Sequence, residues 1–574
     1  MFSGKNAIIF IGLIYFNLFL SIKTEEEKDV YMCDASNSQN WQIYCNGRIL
    51  ETYNYHQITN DSKEYVDMPL IFSPDDTVSN FTKAFGESKP EEIPKEKFKE
   101  FLNLHFLVAG HELLNCTPDG FQDNPEKLMG IRDPDLKEWA LQLNGIWKRL
   151  CKQMDEKGLM ASELYDAAKQ MIYNFADFIE KYGFIPNGGR VYYLQRSQPP
   201  MFTPMIYEIY EATKNVSFVK EMLPFMEKEF NYWQKNHTYS VKLGVKTYTV
   251  YRWRADSNTP RPESYKEDLA TAAAANATDK ESQQRIYRDL ASAAESGQDF
   301  STRWFADKKS LHTIETTNIL PVDLNSFLCW NMDILAYLFD EVARDDDKAD
   351  LYRDLLSKHR RAVHAVFYNE KEKMWLDYNI KDKSHNPTFY ATLATPLFTN
   401  CYNSLDQGKA EGVFNFFNRS HAFDYPGGVP SSMIRETGEQ WDFPNGWGNV
   451  NHMIIEGLRK SEAPQAQDVA FSLATRWVRG NFKVYNATKH MWEKYDVAGT
   501  IPIPGKGGEY EVQDGFGWTN GAILDLLVTY ADRITAFDKV EDKSEEKDSN
   551  NGKTFTPNFL ISLATLIFPA FFAS

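Results

Sequence analysis

Four stretches of this chain set carboxylates, arginines and amides beside glycines and aromatic rings. The first runs from Ile185 to Pro200 (IPNGGRVYYLQRSQPP) and carries Asn187, Arg196, Ser197 and Gln198. The second is Arg261-Pro262-Glu263-Ser264-Tyr265. The third, Glu295 to Trp304, holds Gly297, Gln298 and Asp299. The fourth region begins at Gln440-Trp441-Asp442 and Asn445-Gly446-Trp447. It continues through Glu493-Lys494-Tyr495-Asp496 and Gly507-Gly508-Glu509 to Asp514–Gly521. Arginine forks suit adjacent hydroxyls, and tryptophan and tyrosine offer flat apolar faces with a polar edge. This is the make-up of a sugar site. Cleaving a glycosidic bond needs two carboxyl groups, one protonated to release the leaving oxygen and one ionised to activate water or to attack. The chain has 80 acidic residues, so neighbourhood has to choose between them.

The elements that must hold these stretches read as helices joined by long loops. From Ser162 to Gly183, residues Leu164, Ala168, Met171, Ile172, Phe175, Phe178 and Ile179 follow a one-sided helical spacing. Ser162 is placed to cap the start and Gly183 to end it. Lys348 to Phe367 repeats the pattern through Leu351, Leu355, Val363, Val366 and Phe367. There is a weak internal repeat. Val366-Phe367-Tyr368-Asn369 leads to Met374-Trp375, and Val484-Tyr485-Asn486 leads to Met491-Trp492 at the same spacing. Helix-then-loop units repeated in this way predict a ring of helical hairpins. One copy has Glu493 where the other has Leu376, as expected of a shared scaffold that differs at the site.

The strings IPNGGRVYYLQRSQPP, RPESY, QWDFPNGW, EKYD and QDGFGWTNG occur in order and resemble the trehalase family from about Cys33 to about Asp532. The resemblance implies an all-α (α/α)6 toroid that hydrolyses trehalose to two glucoses with inversion and needs no metal or other cofactor. It implies that Asp299 is the general acid and Glu493 the general base, an inverting pair that should lie about 6.5–9.5 Å apart. It further implies sugar contacts from Asn187, Arg196, Ser197, Gln198, Arg261, Glu263, Gly297 and Glu509, with Trp441 and Trp447 beside them. Asp299 needs a raised pKa, from burial or from a carboxylate such as Glu263 or Glu295. Asp442 and Trp441 are each either part of the site or its support, and Asp514–Gly521 reads as a structural loop beneath it.

The sequence departs from the family most at one place, and in smaller ways at Gln298, Gly448-Asn449 and Lys506. A first signature with a Trp-Asp pair should precede the Ser162 helix, but only Lys152–Lys157 separate the flanking blocks. The missing segment would carry an arginine and a helix of the ring. That leaves three readings: an active trehalase, a catalytically inactive sugar-binding surface glycoprotein, or another toroid glucosidase with a changed substrate. Gln298 beside the acid is the one hint of the third.

Composition sets outer limits. The net charge of −17 and the lack of a long basic run argue against nucleic acid as a partner. Residues 1–24, with Lys5 and an apolar Ala7–Leu20, read as a signal peptide. Asn60, Asn80, Asn115, Asn215, Asn236, Asn276, Asn418 and Asn486 lie in glycosylation sequons. The six cysteines fit an oxidising compartment, with Cys33 and Cys45 the expected pair. The cysteine and histidine spacing suggests no metal. The hydrolase domain is expected over 25–537. A polar linker over 538–552 and a hydrophobic tail over 553–574 follow, and the tail reads as a GPI-attachment signal or a tail anchor. The expectation is a secreted protein, or one held by its C-terminus on the extracellular face of the plasma membrane.

Overall fold

A computed structural model of the protein describes residues 27–111, 117–150, 164–403, 406–461, 463–499, 503–509 and 512–538. The chain divides into a unit over Met1–Ala536 and a second over Phe537–Ser574. Only Phe537 and Asp538 of the second unit are described. The proposed leader, most of the linker and the hydrophobic tail lie outside the described residues. Among the described residues no helix is long and apolar enough to cross a membrane.

Three helices, α1 (Arg48–Tyr55), α2 (Pro74–Phe85) and α3 (Lys95–His105), open the first unit. They share a core of their own with Tyr192 and Leu194. Further helices among the described residues include α4 (Pro134–Leu150), α5 (Tyr165–Tyr182), α6 (Phe202–Thr213), α7 (Val216–Asn236), α8 (Lys280–Glu295), α9 (Val322–Leu338), α10 (Asp346–Phe367), α11 (Thr395–Thr399), α12 (Gln407–Arg419), α13 (Gly448–Lys460), α14 (Pro464–Thr488) and α15 (Gly517–Thr529). Apart from α8, they alternate round an (α/α)6 toroid. Helix α6 packs on α9, α9 on α11, α11 on α13 and α13 on α15, and α15 reaches α4.

Sequence separates the two layers. Along α9, Val322, Leu324, Leu328, Leu335 and Leu338 are all fully buried, and so are the polar Asn325, Ser326 and Asn331. A helix buried on every side belongs inside. In contrast, α10 buries a single stripe, Ala349, Tyr352, Leu356, His359, Val363 and Val366, and turns charge outward. Asp345 caps it by accepting from the Lys348 N–H. The expected stripe is corrected at Leu351, which is exposed. The true stripe runs through His359, whose Nε2 meets the Asn325 carbonyl at 2.9 Å. Burial pushes that imidazole down to about 4, so it packs as a neutral ring.

The described inner helices are α6, α9, α11, α13 and α15. The alternation calls for one more between α4 and α5, where the chain has only residues 151–163. The expected gap at 152–157 lies there, outside the described residues, as does the proposed Ser162 cap. Helix α5 starts at Tyr165 and ends as expected, with the Gly183 N–H on the Ile179 carbonyl.

Two expectations change. Short strands join the helices: β1 (Thr238–Leu243) and β2 (Lys246–Tyr251) form a hairpin, and β3 (Asn445–Trp447), β4 (Lys494–Asp496) and β5 (Ile503–Pro504) form an antiparallel sheet in the order β5-β4-β3. The internal repeat is also only partly structural. Tyr368-Asn369 pairs with Met374-Trp375 as strands after α10. Val484-Tyr485-Asn486 stays inside α14, because nothing there stops the helix before Lys489.

Disulfides join Cys33 to Cys45, as expected, and Cys329 to Cys401. Cys116 and Cys151 lie outside the described residues. The second bridge ties inner helix α9 to the end of α11 across a separation of 72 residues, against 12 for the first. Loop-closure entropy assigns it about 4 kcal/mol and the shorter loop about 3. Replacing both Cys329 and Cys401 by serine should lower the unfolding free energy in urea by about that larger amount. A loss under about 1 kcal/mol would contradict this.

Candidate active site

The sheet assembles the fourth region. In the β3–β4 register, Asn445 faces Asp496, Gly446 faces Tyr495 and Trp447 faces Lys494. Gln440-Trp441-Asp442 is thereby laid beside Glu493. Trp492 bridges to Asp514. The Glu493 N–H donates to the Gln513 carbonyl at 2.9 Å, and Trp518 Nε1 donates to the Glu493 carbonyl at 3.1 Å. Asp514–Gly521 thus supports Glu493 from below, as expected. The Glu493 carboxylate accepts from Lys494 Nζ at 2.8 Å.

The third stretch leaves the C-terminal end of α8 and turns at Gly297, with φ +72°. A Cβ there would lie 3.2 Å from Gln198 Oε1, so both backbone angle and space favour glycine. The turn delivers Asp299, joined to Phe300 by a cis peptide. Its backbone is tied on both sides, as Gln440 Nε2 donates to the Asp299 carbonyl and the Trp441 N–H to the Phe300 carbonyl. One edge of Asp299 is open, and dense protein encloses the rest. Burial pushes its carboxyl up to about 7 against the pull of Arg261 and Arg196, and Glu509 adds to the push. Burial is the leading cause, as expected, and the carboxylate that adds to it is Glu509 in place of Glu263 or Glu295.

The arginines stand among carboxylates. Arg196 Nη2 lies 2.6 Å from Glu263 Oε1, and its Nε donates to Asn187 Oδ1 at 2.6 Å. Its buried Nη1 has no hydrogen-bond partner among the described residues. Arg261 is held by Asp268 through Nε and Nη2. Its Nη2 also reaches Glu509 Oε1 at 2.9 Å, and its guanidinium lies 5.1 Å from the Phe300 ring centre. Ser264 Oγ donates to the other Glu509 oxygen at 2.8 Å. Arg196, Arg261, Glu263, Asp299 and Glu509 therefore form one charged cluster. Asn187, Gln198, Gly297, Gln440 and Glu509 keep part of their surface exposed beside it.

Several expected sugar contacts are occupied by protein. The backbone N–H and hydroxyl of Ser197 both donate to Glu295 Oε1, at 3.1 and 2.9 Å. Trp441 and Trp447 stack on each other at 3.9 Å and 3°. Lys494 lies 5.3 Å from the Trp447 ring centre and Trp518 packs edge-on. Trp447 is thus a packing platform, with little of either face left for a sugar. Asp442 accepts from Ser301, Thr302, Ser432 and Thr437, so it supports the loops. Gln298 donates to Asp323 and accepts from Arg303. It therefore belongs to a buried network in which Arg303 bridges Asp323 and Asp377 at 2.6 and 2.7 Å.

Sequence reasoning missed Glu439, which burial, then Asp442 and Glu509, push up to about 7. Its position directly before Gln440-Trp441-Asp442 was the available signal. It also missed the Arg303 network, because buried carboxylate partners far apart in sequence leave no local pattern. Among the described residues, His452, Glu456 and Asp525 are near enough to share an ion. His452 already meets Asp525 at 2.6 Å, and Glu456 meets Arg459 at 2.7 Å, which reads as an ion-pair network. A cavity of about 480 Å³ lined by Tyr31, Glu51, Tyr265 and Tyr287 lies elsewhere and includes none of the expected site residues.

The sequence profile of the family described as Trehalase matches residues 57–157 and 154–531. The trehalase of Homo sapiens is 37% identical over 535 residues, covering 86% of this chain and 90% of that protein. The trehalase of Apis mellifera is 36% identical over 539 residues, covering 87% and 85%. That of Dictyostelium discoideum is 35% identical over 542 residues, covering 86% and 91%. Among solved structures, neutral trehalase from Saccharomyces cerevisiae superposes with a TM-score of 0.52 at 21% identity, covering 66% of this chain and 70% of that one. That last likeness is one of fold.

Proposed function

The chain belongs to the trehalase family of glycosidases, and on that premise we propose that it cleaves α,α-trehalose by inversion, with Asp299 as general acid and Glu493 as general base. The observation that carries the assignment is the contrast between these two carboxyls. Asp299, pushed up to about 7, keeps a proton to give to the glycosidic oxygen. Glu493 is held at one oxygen by the Lys494 ammonium at 2.8 Å, which leaves the other oxygen to take a proton from water. The attacking water adds to the anomeric carbon as the C–O bond to the leaving glucose breaks. Its proton goes to Glu493, and the Asp299 proton goes to the departing oxygen. Asn187, Gln198 and Glu509 offer exposed polar edges for sugar hydroxyls. The buried Nη1 of Arg196 points to a further donor if the neighbouring groups shift on binding. Colorimetric glucose release from trehalose by the purified chain tests the proposal, and turnover is expected.

The inactive sugar-binding reading keeps one observation in its favour. The family match falls into two pieces that meet at residues 154–157, where a ring helix is expected and only residues 151–163 are available. Trehalose binding by calorimetry without glucose release would establish that reading. The expectation for location is the extracellular face of the plasma membrane, through a lipid anchor attached before the hydrophobic tail. Release from cells by a phosphatidylinositol-specific phospholipase would support it, and retention would favour a tail helix.

A further inference from the structure

A single amide spans the two halves of the proposed catalytic pair. Gln440 Nε2 donates to the backbone carbonyl of Asp299, and Gln440 Oε1 accepts from Lys494 Nζ at 2.7 Å. The same ammonium donates to Glu493 Oε1 at 2.8 Å. Only one orientation of the amide satisfies both ends, since its donor faces a carbonyl and its acceptor faces an ammonium. The amide has little room to turn. Gly508, with φ +93°, passes so close that a Cβ there would lie 2.8 Å from Gln440 Cδ. The Gln440 backbone is pinned as well, because its carbonyl accepts from Asn445 Nδ2 at 3.0 Å and from Trp447 Nε1 at 3.1 Å. Lys494 is fully buried, on β4 opposite Trp447. It is shut off from solvent, and its ammonium donates to Gln440 Oε1 and Glu493 Oε1.

We propose that Gln440 and Lys494 are positioning residues that fix the general base, and the turn carrying the general acid, to one frame. This rests on the assignment of Asp299 and Glu493 above. Neither residue meets the sugar. Lys494 holds one oxygen of Glu493 and so orients the other for water, and Gln440 carries that constraint across to the Asp299 turn. A misplacement of about 1 Å costs about 10²-fold in rate while leaving ground-state binding nearly intact.

The test is steady-state kinetics on trehalose with the full mature chain. The variants are Lys494→Met and Gln440→Met, alone and in a Glu493→Gln background, with thermal melting of each. A drop in kcat of about 10²-fold with KM within about threefold is expected from each single variant. In the Glu493→Gln background, Lys494→Met should cost nothing further, because the group it orients is gone. A folded variant with kcat within about threefold of wild type would overturn the proposal. So would a change in KM alone, or an undiminished loss in the Glu493→Gln background. If Lys494→Met does not fold, Gln440→Met decides, since it keeps the lysine and its contact with Glu493. Near-wild-type activity in Glu493→Gln itself would remove the base assignment and this proposal with it. A dead Glu493→Gln beside a fully active Lys494→Met would remove only the positioning role.

Discussion

Asp299→Asn should lower kcat on trehalose by about 10³–10⁴-fold, the scale of lost general-acid assistance, while the protein still folds. Asparagine has the same shape and keeps the backbone ties to Gln440 and Trp441, but it has no proton to give. The same residue sets a pH dependence. Its carboxyl is pushed up to about 7, chiefly by burial, so wild-type kcat/KM should fall as pH rises through about 7. Stability moves the same way. An aspartate in the unfolded chain ionises near 3.9, so the folded state holds a proton there that the unfolded state has already lost. The folded state therefore loses relative stability as pH rises from about 4 to about 7. The full shift corresponds to about 4 kcal/mol, part of which solvent at the open edge of Asp299 screens. Asp299→Asn removes this slope, so the inactive variant should melt higher than wild type at pH 8. An active variant, or one that melts lower at pH 8, would contradict the role given to this carboxyl.

Glu493→Gln should be the other severe loss, again about 10³–10⁴-fold in kcat, with KM changed far less. The amide cannot take a proton from water, and although its oxygen can still accept from Lys494, it leaves the buried ammonium without a counter-charge. Some destabilisation should accompany the loss, as expected when a buried charge loses its counter-charge. Kinetics and thermal melting on the same preparation separate the two effects. A folded Glu493→Gln enzyme with more than about a tenth of wild-type kcat would remove Glu493 from the base position.

The site stretches were legible because each is a run of consecutive residues. Arg196, Arg261, Asp299, Glu493 and Glu509 sit in such runs, and the structure brings Arg196, Arg261, Asp299 and Glu509 into one cluster. The helical ring was legible in outline, because outer helices such as α10 carry a one-sided stripe. Inner helices such as α9 are buried on nearly every side, polar residues included, and give no face to read, which is why sequence alone set no layer. What stayed hidden depends on contacts between residues far apart in sequence. Trp441 and Trp447 are expected beside the sugar contacts, yet they stack on each other. Ser197 was read as a sugar contact, yet Glu295 takes both of its donors. The Gln440–Lys494 contact follows from the β3–β4 register, which no local pattern announced.

The most direct test is proton NMR of the products in the first minutes of trehalose hydrolysis by the folded wild-type chain, before the anomers equilibrate. Water attacking one anomeric carbon with inversion gives β-glucose, and the departing unit keeps its α configuration. Equal amounts of α- and β-glucose are therefore expected at the earliest times, and no product from Glu493→Gln. Only α-glucose would show retention and contradict the water-activating role of Glu493. No glucose at all from a folded chain would contradict the enzyme and leave the sugar-binding reading.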